Sequence, residues 1–247
     1  MDPKNLVQSG VHTVMGVKAT TQDTTVQTDL ENPQWDKAVT LKYVGATLAQ
    51  IAALTGLLWL MEVALDRVGP DALPQWGTTA IVCAFFAVVT LRSRVFSLLD
   101  NTRNNGRYQS IQRPAWAPPP LAFPIVWMSI AVLRVASAYL VWVAMGQTFL
   151  CLPLVLFVVH LSLGDTWNTI FTVEGRLGAA VPMVVIGPWC SVAAVTISYY
   201  QAVPLAGWLI LPSWIWLTVA TVLCVRLWQL NGQEPLYPVV AREVSTQ

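Results

Sequence analysis

Three ionisable side chains, Arg134, His160 and Asp165, lie in stretches that are otherwise apolar. A guanidinium can hold an anion, an imidazole can donate or accept a hydrogen bond, and a carboxylate accepts from N–H or O–H groups. A charge at the centre of a bilayer costs about 2.5 to 3.5 kcal/mol on insertion scales, so such residues face the interior of a helix bundle and pair there. Arg134 follows Trp127 by two helical turns, which puts both on one face. His160, Gly164, Trp167 and Phe171 share another face. Asp165 is turned about 140° from His160 at 100° per residue, so those two are not expected to touch. The expectation is that Arg134 and Asp165 pair across adjacent helices and shape a cavity for an anionic or polar-edged ligand. A buried ion pair with no ligand role is the alternative. No metal-ligand cluster, nucleophile beside a base, or Gly-rich phosphate loop accompanies these residues, so no catalytic residue, metal site or obligatory cofactor is expected.

The elements that position them follow from composition. Of 247 residues, 55% are hydrophobic and 11% charged, against about 25% charged in soluble domains. That excludes an ordinary water-soluble enzyme. Fourteen Lys and Arg balance thirteen Asp and Glu, which leaves no basic surplus for a nucleic-acid partner. Six apolar windows can cross a hydrocarbon core, which takes about 20 residues of helix: Tyr43 to Leu65, Trp76 to Leu91, Leu121 to Ala144, Thr148 to Thr172, Leu177 to Tyr200 and Leu205 to Leu230. The second is the shortest, and Val95 to Leu99 could extend it. Backbone polar groups must be satisfied internally in lipid, and the windows lack a barrel's alternation, so the fold class is an all-α integral membrane protein.

Lys4, Lys18, Lys37 and Lys42 precede the first window, and Arg92, Arg94, Arg103, Arg107 and Arg113 follow the second; Arg176 and Arg242 fall on the same side, with Arg67 alone opposite. Short cytoplasmic connections collect such residues, so six spans with both termini cytoplasmic are expected. Residues 1–42 are polar and acid-containing, unlike a transit peptide, and read as a flexible solvated tail; residues 232–247 form a second tail. Cys83, Cys151, Cys190 and Cys224 lack paired spacing and read as reduced core thiols.

Twelve tryptophans are many for this length, and an aromatic belt at the membrane surface explains several. One segment is more particular: Tyr108, then Pro114, Trp116, Pro118, Pro119 and Pro120, followed by Phe123, Val126 and Trp127. Proline fixes its own φ and restrains the residue before it, so this is a stiff extended connection that holds Tyr108 and Trp116 at the cytoplasmic mouth of the bundle as an aromatic lid. A stiff linker with aromatic packing is the simpler reading.

The segment resembles the first loop of the TspO/MBR family, the tryptophan-rich sensory proteins and translocator proteins. Trp167 with Phe171, and Leu211-Pro212-Ser213-Trp214-Ile215-Trp216 with Thr218, Ala220, Thr221, Leu223, Trp228 and Asn231, resemble later stretches of that family. The resemblance implies a five-helix bundle over residues 76–231, often dimeric, with residues 43–65 as an additional transmembrane helix. It also implies a pocket beneath the loop for porphyrin or haem, other tetrapyrroles, or sterol-like ligands, contacted by Tyr108, Trp116, Trp127, Trp167 and Trp216. Arg134, His160 and Asp165 join that candidate set, because the family has uncharged residues at those positions.

Departures remove polar groups from the inherited pocket. Arg107 stands where a loop Trp is expected, Ala131 and Ser213 where Tyr is expected, and Gly164 and Cys224 where Asn is expected. Val225 precedes Arg226, so the weak sterol motif at the end of the last helix is absent. The reading favoured is a membrane receptor or carrier for tetrapyrroles or related amphipathic lipids. The alternative is a structural or assembly subunit of a membrane complex with a degenerate pocket, and an enzyme ranks last.

Overall fold

The computed structural model describes residues 33–69, 72–99 and 111–240, with the backbone of four short strands besides. Lys18–Thr20 pairs in parallel with Thr102–Asn104, and Gln27–Thr28 pairs antiparallel with Ala241–Arg242. Among the described residues, everything else that is regular is helix, apart from an isolated bridge between Trp35 and Val239. Six helical spans are long and apolar enough to cross a membrane: Lys37–Val68, Gln75–Phe96, Ala122–Ala144, Leu152–Val173, Leu177–Ala202 and Pro204–Leu230. They are numbered here first to sixth, and they fall on the six windows expected.

The first span begins earlier than its apolar window, at Lys37, because Asp36 caps it: Asp36 Oδ1 accepts from the Val39 amide at 2.9 Å. An acceptor at the N-cap satisfies one of the amides that a helix start leaves open. Lys37 to Lys42 therefore belong to the helix and not to the tail. The second span is lengthened past Arg92 by a 3-10 turn, Ser93–Phe96. The fifth carries Pro182 and Pro188, which cannot donate to the helical ladder; after Pro182 the chain widens to a π-turn over Val185–Trp189 that contains Pro188. Wide turns of this kind accompany a broken ladder.

The second span packs on the third, the third on the sixth, the sixth on the fifth and the fifth on the fourth. This leaves a seam between the second and fourth spans. The first span lies along the fourth and against the 3-10 end of the second, over that seam. Its buried side is a stripe of Tyr43, Ala46, Thr47, Gln50, Leu54 and Leu58, spaced as one helix face. Fifth and sixth spans approach very closely, since a Cβ on Gly207 would stand 2.7 Å from the Tyr200 Cα.

Two hydrophobic cores result. One, at the end away from the proline-rich connection, joins Leu54, Phe86, Phe149, Phe157, Tyr199 and Ile210. The other, near that connection, joins Tyr43, Leu99, Trp167, Ile170, Ala180 and Cys224. Large apolar side chains on the outside, among them Leu48, Val88, Val132, Ile186, Trp208 and Val222, would be an aggregation hazard in water and suit lipid. The cysteines do not all join the cores: Cys151 and Cys224 are buried, Cys83 is partly buried, and Cys190 is exposed on the outer face. Cys190 is a small apolar group facing the hydrocarbon, which the apolar run around it could not distinguish from a core position.

Candidate functional site

Between the two cores lies a small cavity of about 70 Å³, lined by Thr90 and Ser93 of the second span, Trp127 and Arg134 of the third, and His160, Leu161, Gly164, Asp165, Trp167 and Asn168 of the fourth, with Pro188 and Leu217 closing it. All three ionisable residues singled out from the sequence reach it. Their pairing differs from the expectation, however. Among the described residues, no ion pair within 4.0 Å joins Arg134 to Asp165.

Arg134 turns to His160 instead: its Nη2 donates to His160 Nε2 at 2.8 Å. The guanidinium carbon lies 5.8 Å from the centre of the Trp127 ring, the cation–π contact that their two-turn spacing allows. Arginine has no acceptor, so Nε2 must present its lone pair. His160 is therefore the neutral tautomer with its proton on Nδ1, which donates to Ser191 Oγ at 2.9 Å; Ser191 passes the chain on to the Pro188 carbonyl at 3.2 Å. The π-turn supplies that carbonyl at cavity depth.

Asp165 faces elsewhere because it is turned away from His160 around the fourth span. Its Oδ2 accepts from Gln50 Nε2 at 2.8 Å, and the same amide nitrogen donates to the Ser93 carbonyl at 2.9 Å. Gln50 thus bridges the seam between the second and fourth spans. The first span is tied to the fourth and to the connections at its two ends by further polar contacts: Thr47 and Thr166 share a hydroxyl hydrogen bond of 2.6 Å, the Tyr43 hydroxyl donates to Glu174 just past the fourth span, and Glu62 Oε2 accepts from the Phe149 and Leu150 amides just before it. Gln50, Ser191 and Thr90 were not singled out by the sequence reading. An isolated amide or hydroxyl inside an apolar span is the signal that could have found them.

The aromatic set divides. Trp127 and Trp167 line the cavity. Trp167 stacks on Phe171 at 5.3 Å with the planes only 11° apart, and Phe171 lines a second, small and mostly apolar cavity under the connection, with Ile111, Arg113, Ala117, Pro118, Phe123 and Leu227. The stacked pair stands between the two cavities. Trp116 is not the lid. It is 49% exposed and lines neither cavity, because the Ala117 amide bonds back to the Pro114 carbonyl at 2.9 Å and the resulting tight turn projects Trp116 outward. Ala117 and Pro118 cover the space in its place. Trp216 packs edge-on against Phe123 at 5.6 Å and lines neither cavity, since its neighbour Leu217 takes the inward position. Tyr108 lies outside the described residues.

Among the described residues no group of three or more His, Cys, Asp or Glu side chains is placed to hold a metal ion. The cavity presents a guanidinium, a carboxylate, two indoles and apolar walls.

Comparison with known proteins follows the same boundaries. The model of the TspO/MBR family matches residues 78–229, the second to sixth spans. The chain is 30% identical over 131 residues to Protein CrtK of Rhodobacter capsulatus, covering 52% of this chain and 81% of that one. It is 31% identical over 134 residues to the tryptophan-rich sensory protein of Cereibacter sphaeroides, covering 52% and 78%, and 32% identical over 127 residues to the human translocator protein, covering 50% and 74%. With the matched region coinciding with five of its six spans, the chain is a multi-pass integral membrane protein that belongs to the TspO/MBR family and carries a further span ahead of the family bundle.

Proposed function

We propose that the protein is a membrane receptor or carrier that takes a flat amphipathic ligand, a tetrapyrrole such as a porphyrin or a molecule of similar shape, into the cavity between its two cores. The observation that carries this reading is the lining of the cavity, with Trp127 and Trp167 as aromatic walls and Arg134 over one of them. Binding sites for small organic molecules are mostly apolar, with a few convergent polar groups. Indole faces suit an extended π-system. Haem or porphyrin enters here as ligand, with no cofactor role.

Six crossings put both chain ends on one side of the membrane, and the Lys and Arg of the tails and of the connection after the second span favour the cytoplasmic side. The test of the function is titration of the purified protein with protoporphyrin IX. Saturable quenching of Trp fluorescence is expected, weakened about tenfold or more in Trp127→Leu and in Trp167→Leu. Unsaturable quenching, or quenching unaltered in both variants, would remove the reading.

A further inference from the structure

At the end of the bundle away from the proline-rich connection, a third cavity of about 690 Å³ opens between the end of the first span, the start of the second and the end of the third. Binding sites for small organic molecules are commonly about 300–1,000 Å³. One wall is aromatic. Tyr139, Trp142 and Phe149 line it, with ring centroids 5.9 Å apart for the first pair and 5.5 Å for the second. The Tyr139 hydroxyl shares a hydrogen bond of 3.0 Å with Thr79 Oγ1, which ties this wall to the second span. Trp142 is 2% exposed, yet its indole N–H has no partner. A buried donor left unpaired is costly, and an occupant with an acceptor oxygen would satisfy it.

The other wall is acidic. Glu62 and Asp66 line the cavity from the first span, four residues apart and so on one helix face, with Cβ atoms about 6 Å from each other. Glu62 is braced, because its Oε2 accepts from the Phe149 and Leu150 amides at 2.7 and 3.0 Å; its second oxygen keeps its lone pairs. Asp66 is exposed, and among the described residues no ion pair within 4.0 Å holds it. Neither Lys nor Arg is among the described residues that line the cavity, and Arg67, next to Asp66, does not face it. Like charges one turn apart on a helix repel. A cation between them relieves that repulsion, and the faces of Trp, Tyr and Phe attract the same cation.

We propose that this cavity binds an organic ammonium, with the cation between Glu62 and Asp66 and an apolar, ring-bearing body against Tyr139, Trp142 and Phe149. The site is separate from the cavity between the two cores and does not depend on the function proposed above. The aromatic wall lies within residues 78–229, the region that matches the family, whereas both carboxylates come from the additional span, Lys37–Val68. The added helix thereby turns an aromatic face of the family bundle into a cation site.

The experiment compares 3-phenoxypropylamine, an ammonium at neutral pH with an ether oxygen and a phenyl ring, with 3-phenoxypropanol, its neutral counterpart. Binding of each to the full-length protein in maltoside micelles is read by calorimetry against protein-free micelles. The amine is expected to bind about tenfold more tightly than the alcohol. Asp66→Asn, at an exposed position, and Glu62→Gln, whose amide oxygen can still accept from the Phe149 and Leu150 amides, should each weaken the amine about fivefold and leave the alcohol unchanged. Trp127→Leu, in the cavity between the two cores, should alter neither. Displacement of the amine by dihexanoylphosphatidylcholine would support the ammonium site and name a lipid choline headgroup as its source; tight amine binding without displacement would support it with a soluble amine as the source. Equal binding of amine and alcohol, amine affinity unchanged in both carboxylate variants, or loss of amine binding in Trp127→Leu would overturn the proposal.

Discussion

Gln50 Nε2 lies 2.8 Å from Asp165 Oδ2 and 2.9 Å from the Ser93 carbonyl oxygen, so one amide of the additional span closes the seam between the second and fourth spans where they border the cavity. Gln50 is fully buried. The added helix is thereby part of the wall of the family bundle and not an appendage beside it.

Removing that amide should cost stability. A hydrogen bond to a charged group contributes about 1.5–3 kcal/mol, and a buried partner left unsatisfied adds its own desolvation penalty. Gln50→Ala is expected to destabilise the protein in detergent by about 2 kcal/mol. The decisive measurement is a double-mutant cycle with Asp165→Asn: the two losses should fall short of additive by about 1 kcal/mol, and strict additivity would mean that the contact does not operate in solution.

The packing of the first span on the fourth can be trapped directly. The Thr47 and Thr166 hydroxyl oxygens approach to 2.6 Å, which brings their Cβ atoms within the range a disulfide requires. Thr47→Cys combined with Thr166→Cys should form an intramolecular bridge on mild oxidation, read as protection of both positions from maleimide. Full labelling after oxidation would place the first span elsewhere.

Native cysteines give a second check on the lipid-facing surface. Cys190 is exposed and Cys224 is buried beside Trp167 in the core near the connection. A membrane-permeant thiol reagent should modify Cys190 in the folded protein and reach Cys224 only after denaturation. Equal rates at the two positions would contradict the orientation of the fifth and sixth spans.

The six spans were legible because hydropathy, length and the distribution of Lys and Arg all depend on local sequence. So was the shared direction of Trp127 and Arg134, since a two-turn spacing on one helix needs no knowledge of the neighbours. Partner choice was not legible. That Arg134 meets His160, and Asp165 meets Gln50, depends on the rotation of each span against the next, and the first span's place over the seam is a tertiary fact with no local signature. Trp116 shows the same limit at short range. The prolines announced a stiff connection, but the turn closed by Ala117 and Pro114 decided which way the indole points.

Two glycines separate cavity from packing. A Cβ on Gly207 would stand 2.5 Å from the Tyr200 Cβ and 2.7 Å from its Cα, backbone that cannot withdraw without parting the fifth and sixth spans. Gly207→Ala is therefore expected to destabilise the bundle, by about 1–3 kcal/mol as overpacking usually does. Gly164 is the opposite case. It lines the cavity one turn from His160, and a Cβ there meets nothing within 4 Å. Gly164→Leu should fold with an unchanged or slightly raised melting temperature, because leucine favours a helix over glycine by about 0.8–1 kcal/mol. Its side chain should nevertheless occupy the space between Arg134 and Trp167. The checking measurement is a pair of readouts on one preparation, thermal unfolding and protoporphyrin IX quenching. Loss of quenching at retained stability ties ligand binding to this cavity, while quenching undiminished in Gly164→Leu would move the site to another part of the molecule.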